Sequence, residues 1–323
     1  MAKTIVSDRV RKAENDTHPR SVLSPRTRSA LFDPATDPAA IVRHYTFSPE
    51  DMALIRRRRR AANRFGFAVS LAYLRFPGRA LGVEEAPPAD IFAFIAKQTA
   101  CAPEDFGAYA HRSETRREHL GWLQSYLDVP SFRRHDKRPL AHVAIEQATR
   151  LDRGDVIVSA MIEYLRERRI LLPAAVTLEK IALAGRALAR KRAYKSLIEG
   201  LSPQTITGLE ALLVVAKDEE RTPLAWLREW PEAPRQRNLV EVVDHLETVR
   251  KLGVGADREK RINRARYAAI ARETAIVSAQ HLARFDPLRN LAALVVFARE
   301  VEAALTDAAL AMFGKILGVM IVP

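Results

Sequence analysis

Four times in this chain a serine, threonine or aspartate stands immediately before a proline at the start of an apolar pattern: Ser48-Pro49, Ser202-Pro203, Thr222-Pro223 and Asp286-Pro287. Such a pair is a helix start, because the side-chain oxygen accepts from an otherwise unpaired N–H of the first turn and proline lacks an N–H that would have gone unpaired there. Asp90 after Pro87-Pro88 and Ser113 before ETRREHL predict two more caps. Between these marks apolar residues recur at three and four, as in Leu178, Ile181, Gly185 and Leu188, and in Leu288, Leu291, Leu294, Val295 and Ala298. That is the period of a helix with one buried face, and no run of strict alternation competes with it. The expectation is an all-α, multi-domain helical chain of about twelve to fifteen helices.

The chain has 323 residues, of which 48% are hydrophobic, enough for two or three domains with their own cores. Its single cysteine, Cys101, excludes a disulfide framework and a cysteine-rich zinc site and fits a reducing compartment. The longest stretches free of Asp, Glu, Lys and Arg are ten residues, as at 65–74, whereas a membrane span needs about 20 apolar residues. The first twenty residues are broken by charge and carry no leader-like apolar core. A soluble cytoplasmic protein without a membrane partner is expected.

Charge is the second constraint. Lys and Arg number 52 against 39 Asp and Glu, a net +13. The excess is not spread evenly. Residues 1–80 hold 16 basic and 7 acidic side chains, 81–130 hold 4 and 8, 131–200 hold 15 and 8, and the remainder is nearly balanced with 17 and 16. Two basic blocks separated by an acidic one read as a bipartite polyanion binder, in which Lys and Arg displace counterions from phosphates. The plainer alternative is a set of arginine-rich, solvated helix faces.

Enzyme readings find little support. The eight histidines form no i, i+4 pair and no HExxH, and there is no GxxxxGK[ST], no GxGxxG after a strand and no GxSxG. Acidic residues such as Glu163, Glu167, Glu300 and Glu302 sit beside basic ones at helical spacing, as solvated ion-pair faces do. No catalytic residue, metal or cofactor is assigned.

The DNA-binding candidates lie in the basic blocks. In SPEDMALIRRRRRAANRFGFAVSLAYLRF (48–76), a helix capped by Ser48 is expected to run into Arg56, Arg57, Arg58, Arg59 and Arg60, with a second helix starting near Asn63. Phe67, Leu71 and Leu74, with Phe65 and Tyr73 alongside, would then pack on Met52 and Ile55, a helix-turn-helix layout that plain helical hairpins share. Five adjacent arginines cannot share one face at 100° per residue, so two or three phosphate contacts are the realistic expectation. Asn63 and Arg64 would meet phosphates or base edges from the start of the second helix. In the second block, SFRRHDKRP offers Arg133, Arg134, Lys137 and Arg138 from a loop-like run. RALARKRAYKSL offers Arg186, Arg190, Lys191, Arg192 and Lys195 from a helix. Aromatics are 7% of the chain and fall at core spacings, as with Phe92, Phe94, Trp122, Trp226 and Trp230, so a duplex suits the composition better than a single strand.

These stretches carry a resemblance. TFSPEDMALIRRRRRAANRFGFAVSLAYLRFPGR, IFAFIAKQTACAPEDFGAYAHRSETRREHL, RRILLPAAVTLEKIALAGRALARKRAY, LAWLREW and LRNLAALVVFAREVEAALTDAALAMFG follow, in order and spacing, the N-terminal region of transposases of the Tn-three type of replicative bacterial transposon. The resemblance implies two helical modules similar to centromere-protein-B-like helix-turn-helix domains that bind the terminal inverted repeats, followed by a dimerisation region. It also implies that strand cutting belongs to a later ribonuclease-H-like domain whose acidic triad holds Mg²⁺. This chain stops at GKILGVMIVP, short of that domain, so none of its Asp or Glu is expected to belong to the triad. One departure falls in the basic turn. Where the family has a glycine or polar turn after about three arginines, Arg59-Arg60-Ala61-Ala62 is expected to lengthen the first helix. The expected division is a mobile tail at 1–40, a first DNA-binding domain at 41–130, a second at 131–205, and a linker and dimerisation region at 206–323. The expected function is binding of double-stranded DNA at transposon ends without strand-transfer chemistry. Two alternatives stand beside it: a regulatory fragment that oligomerises as a homodimer or as a heterodimer with intact transposase, and a non-functional relic.

Overall fold

A computed structural model describes residues 22–82, 85–110, 113–217 and 219–321. Among the described residues every regular element is helical: sixteen α-helices and two short 3₁₀ turns, with no strand. The proline-marked caps form as their chemistry requires. Ser48 accepts from the Asp51 N–H while Asp51 accepts from the Ser48 N–H, a reciprocal capping box. Ser202 and Thr222 accept from Thr205 and Ala225, and Asp286 accepts from Leu288 and Arg289. Pro88 rather than Asp90 caps its helix, which places Asp90 in the first turn.

Packing divides the chain into two compact units. The first comprises the residues up to Gln147 together with Arg153–Gly185; the second comprises Ala148–Asp152 and the chain from Arg186 onward. This differs from the expected segments 41–130, 131–205 and 206–323. Most of the expected second segment packs in the first unit, because the strip after residue 169 returns to it: the Leu171 N–H donates to the Pro130 carbonyl and the Leu172 N–H to that of Gly78, at 3.0 and 2.9 Å.

The first unit contains α1 (Pro25–Phe32), α2 (Pro38–Tyr45), α3 (Pro49–Arg56), α4 (Ala61–Arg75), α5 (Ala89–Thr99), α6 (Asp105–Ala110), α7 (Ser113–Leu127), α9 (Gly154–Glu167), and the opening parts of α8 (Lys137–Arg150) and α10 (Ala175–Ile198). One of these helices, α1, falls inside the expected tail, and α2 starts within its last three residues. Ser24 caps α1 and Asp37 caps α2, and Phe32 is buried, so residues 22–40 are ordered helix and turn; residues 1–21, expected to be mobile, lie outside the described residues. The core of the unit is α4. Phe65, Gly66, Phe67, Ala68, Val69, Leu71, Ala72, Tyr73 and Leu74 are all buried, against α2, α3, α5, α6 and α7. Gly66 permits this density, since a Cβ there would stand 2.1 Å from the Tyr109 ring.

The second unit holds the end of α10, then α11 (Pro203–Ala211), α12 (Pro223–Trp226), α13 (Gln236–Lys251), α14 (Arg264–Ile276), α15 (Ala279–Leu282) and α16 (Pro287–Ile321). Gly253 and Gly255, both at positive φ, follow α13 as a helix stop should. The buried Arg258 donates to the carbonyls of Leu197, Glu199 and Val254, tying off the C-terminal end of α10. In α16 residues 292–298 are buried on every side, whereas Leu310, Phe313 and Leu317, one face of the same helix, are exposed.

Candidate nucleic-acid interface

Helices α3 and α4 appear in the expected order and pack on each other, with Ile55 buried and Met52 half-buried against the same core. Two details differ from expectation. First, α3 ends at Arg56 instead of continuing through the arginine run, and α4 starts at Ala61 with Arg60 as its extended N-cap residue. A continuous helix would crowd five like charges into about one and a half turns, whereas the break at 57–60 lets Arg58 turn inward onto Phe67 and Trp122. Second, α4 cannot lie in a groove as a recognition helix does, because Phe65–Val69 and Leu71–Leu74 form the centre of the core. Among the residues of this hairpin, those of the turn are left to face a ligand.

The end of the hairpin opposite the turn is firmly pinned. Asp51, fully buried, accepts from both Arg75 Nη atoms at 2.6 Å each, from the Tyr126 hydroxyl at 2.8 Å and from the Ser48 N–H at 2.8 Å. Burial pushes its carboxyl up, but the bonds from Arg75, Ser48 and Tyr126 outweigh burial and hold it below the usual carboxylate range. Arg64 reaches back to the Arg58 carbonyl at 3.4 Å and is half-buried. Arg56, Arg57, Arg59 and Arg60 are exposed. Asn63 is half-buried, so Asn63 and Arg64 do not present themselves as openly as the sequence suggested.

Arg58 stands apart from its neighbours. Its guanidinium carbon lies 4.0 Å from the ring centre of Trp122 and 4.7 Å from that of Phe67. Its Nε is buried and, among the described residues, without a hydrogen-bond partner. Desolvation lowers its pKa, partly offset by the through-space attraction of Glu118. The same environment acts on His119, whose pKa burial, with help from Arg58, depresses to about 4. Trp122, expected in the core, keeps 47% of its surface exposed; Arg58 rather than an apolar pocket covers it.

In the second basic stretch Arg134–Asp136 forms a 3₁₀ turn, with the Arg133 N–H on Asp136, and α8 begins at Lys137. The run expected to be loop-like is therefore a turn leading directly into a helix, and Arg133, Arg134, Lys137 and Arg138 are all exposed on it. In the second unit Arg186 and Arg190 share one carboxylate, their Nε atoms lying 2.6 and 2.7 Å from Asp152, and the buried Arg266 joins them at 3.4 Å. Arg266 also donates to the Ala148 carbonyl. Arg186 and Arg190 thus brace the fold, whereas Lys191, Arg192 and Lys195 are exposed. Sequence reasoning had no means of finding Asp152 or Arg266, which come from 34 residues before Arg186 and 76 after Arg190.

Among the described residues no group of three or more His, Cys, Asp or Glu side chains is placed to hold a metal, and no helix is long and apolar enough to cross a membrane. A family model described as a domain of unknown function (DUF4158) matches residues 22–185. The transposases for transposons Tn3926 and Tn21, both of Escherichia coli, are each 36% identical to the chain over 299 residues, 93% of this chain and 30% of the relative. The transposase for transposon Tn501 of Pseudomonas aeruginosa is 33% identical over 298 residues, 92% of this chain and 30% of the relative. The chain therefore spans about 30% of the length of the curated relatives it matches.

Proposed function

The chain belongs to the family of Tn-three-type transposases, as a match to their N-terminal region that includes the DUF4158 domain, and from this premise we propose that it binds double-stranded DNA at the terminal inverted repeats of a transposon. In this reading the described residues supply recognition of the repeat. The observation that carries the reading is the turn between α3 and α4, which presents Arg56, Arg57, Arg59 and Arg60 to solvent between two helices whose opposite ends the buried Asp51–Arg75 pair joins. Exposed guanidiniums on a turn between packed helices are suited to phosphate contact, which sets affinity and register. Arg133, Arg134, Lys137 and Arg138 at the start of α8 add a second set, and Lys191, Arg192 and Lys195 a third.

Fluorescence anisotropy of the full chain on its own transposon's terminal repeat and on a scrambled duplex, over a salt series, tests this. If about six phosphates are neutralised, affinity falls roughly a thousandfold between 50 and 200 mM salt. The repeat should bind about a hundredfold more tightly than the scrambled duplex, within the range seen for specific over non-specific binding. A salt slope near zero refutes duplex binding, and equal affinity for both duplexes refutes recognition of the repeat.

A second reading is favoured by a different observation. Leu310, Phe313 and Leu317 lie on one face of α16 with 65%, 51% and 38% of their surfaces exposed. Such an apolar stripe suits self-association or pairing with an intact transposase. Sedimentation velocity across a hundredfold concentration range, with and without Leu310→Glu and Phe313→Glu, decides it: a monomer throughout removes the self-association.

A further inference from the structure

Resting on the duplex-binding reading above, we propose that Arg58, clamped between Phe67 and Trp122, reads a guanine edge of the bound duplex, and that its exposed neighbours Arg56, Arg57, Arg59 and Arg60 contact phosphates alone.

Three observations converge on this division of labour. The helix that would read bases in a helix-turn-helix, α4, is buried over Phe65–Val69 and Leu71–Leu74, and its first turn, Ala61–Arg64, is half-buried, so the side chains this hairpin offers most openly are those of the turn. Within the turn only Arg58 is held: two aromatic rings fix its guanidinium at 4.0 and 4.7 Å, and Arg64 fixes its backbone through the carbonyl. A flexible arginine gives up rotamer freedom when it docks on a base, whereas Arg58 has already lost that freedom in the folded chain. Finally, the side chain is half-buried yet, among the described residues, no carboxylate or carbonyl is bonded to its guanidinium, and Glu118 acts only through space; an unpartnered Nε it shares with Arg266 and Arg228, but those two have acceptors on their Nη atoms. A structural arginine in this fold is satisfied differently: Arg75 has Asp51, Arg186 and Arg190 have Asp152, and Arg258 has three carbonyls. Arg58 has stacking in place of pairing, which leaves donors for a ligand.

The chemistry selects the target. A planar guanidinium offers two parallel N–H donors, and a guanine presents two adjacent acceptors, N7 and O6, in the major groove. Trp122 serves as a positioning residue: its exposed ring supports the guanidinium from outside and need not touch the base. Lysine keeps the charge but has neither the planar fork nor the stacking face, so Arg58→Lys separates reading from attraction.

The experiment uses the full chain, the terminal-repeat duplex, and a set of duplexes each altered at one base pair. Wild type should lose roughly ten- to a hundredfold at one G·C pair. Arg58→Lys should become indifferent to that pair while its salt slope stays the same within about one, and Arg57→Lys should keep the complete base-pair profile of wild type. Replacing the sensitive guanine by 7-deazaguanine should weaken wild type and leave Arg58→Lys unchanged. Trp122→Ala, at a largely exposed position, should lose the same preference, and Trp122→Phe should retain it. Thermal melting verifies that each variant is folded, and if Arg58→Lys is not, the Trp122 pair decides. The proposal is overturned if Arg58→Lys keeps the full profile, or if it weakens all duplexes equally, as loss of a phosphate contact would. Wild type binding repeat and scrambled duplex equally would instead sink the terminal-repeat reading on which this one rests.

Discussion

Replacing Asp51 by asparagine removes one negative charge from a fully buried carboxylate of the first unit and keeps its shape. The native side chain accepts four hydrogen bonds, two of them from Arg75. Asparagine retains one acceptor oxygen and turns an N–H₂ group toward donors that need acceptors. Breaking a buried ion pair by removing one partner costs about 3–5 kcal/mol. Here the lower end applies, because Arg75 is 31% exposed and regains water once released. For a unit of this size about 3 kcal/mol corresponds to a melting decrease of roughly 6–12 °C. The pH dependence has a definite sign. Asp51 has a folded pKa below its ordinary 3.8, so its contribution is complete above 3.8 and disappears as pH falls through the lower folded value. The gap between wild type and Asp51→Asn should thus be widest at neutral pH and narrow below about pH 4. Calorimetry at pH 7 and at pH 3.5, with hydrogen exchange to assign the transition to α3 and α4, checks both statements. A shift under about 2 °C at pH 7, or a gap that widens in acid, refutes the account.

Three other perturbations follow from the packing. Gly66→Ala forces a Cβ into the Tyr109 ring and should destabilise the first unit by about 1–3 kcal/mol or more, read by urea unfolding; a neutral or stabilising effect would contradict the close approach of α4 and α6. His119 is neutral when folded, with a pKa of about 4 against an ordinary 6.5, so stability should be complete above pH 6.5 and decline by up to about 3 kcal/mol toward pH 4; His119→Phe should flatten that decline, and an NMR titration midpoint near 6.5 would refute it. Arg258→Ala uncaps the end of α10 and should cost about 2–3 kcal/mol in the second unit, with increased amide exchange at 197–201; unchanged exchange would show that water replaces the guanidinium without loss.

What the sequence made legible was local. A cap, a proline and a period of three and four are complete within a dozen residues, and all four proline-marked helix starts form where expected. The same signature at Ser24-Pro25 and Asp37-Pro38 is obscured by the polar composition around it, which hides α1 and the first residues of α2 in an apparent tail. The uncharged ten residues of 65–74 announced a buried helix, yet a helix-turn-helix pattern says nothing about how many neighbours surround its second helix; only α5, α6 and α7 decide that. The basic candidates divided for an equally non-local reason. Arg186 and Arg190 read like Lys191 and Lys195 until Asp152 and Arg266 arrive from elsewhere in the chain. Trp122 has the spacing of a core residue, and its partner proved to be a cation 64 residues earlier.

The strip at Leu171 and Leu172, bonded to the carbonyls of Pro130 and Gly78, sets an order of events on the ribosome. A nascent chain synthesised from its N-terminus has the arginine turn by residue 60, yet the first unit lacks its last pieces until Gly185 has cleared the exit tunnel, at the residue where the DUF4158 match also ends. At typical elongation rates of about 5–20 residues per second, the turn waits several seconds or more for its complete scaffold. During that interval the basic segment is synthesised but not yet braced by the finished unit, and its arginines act as unplaced charge alone.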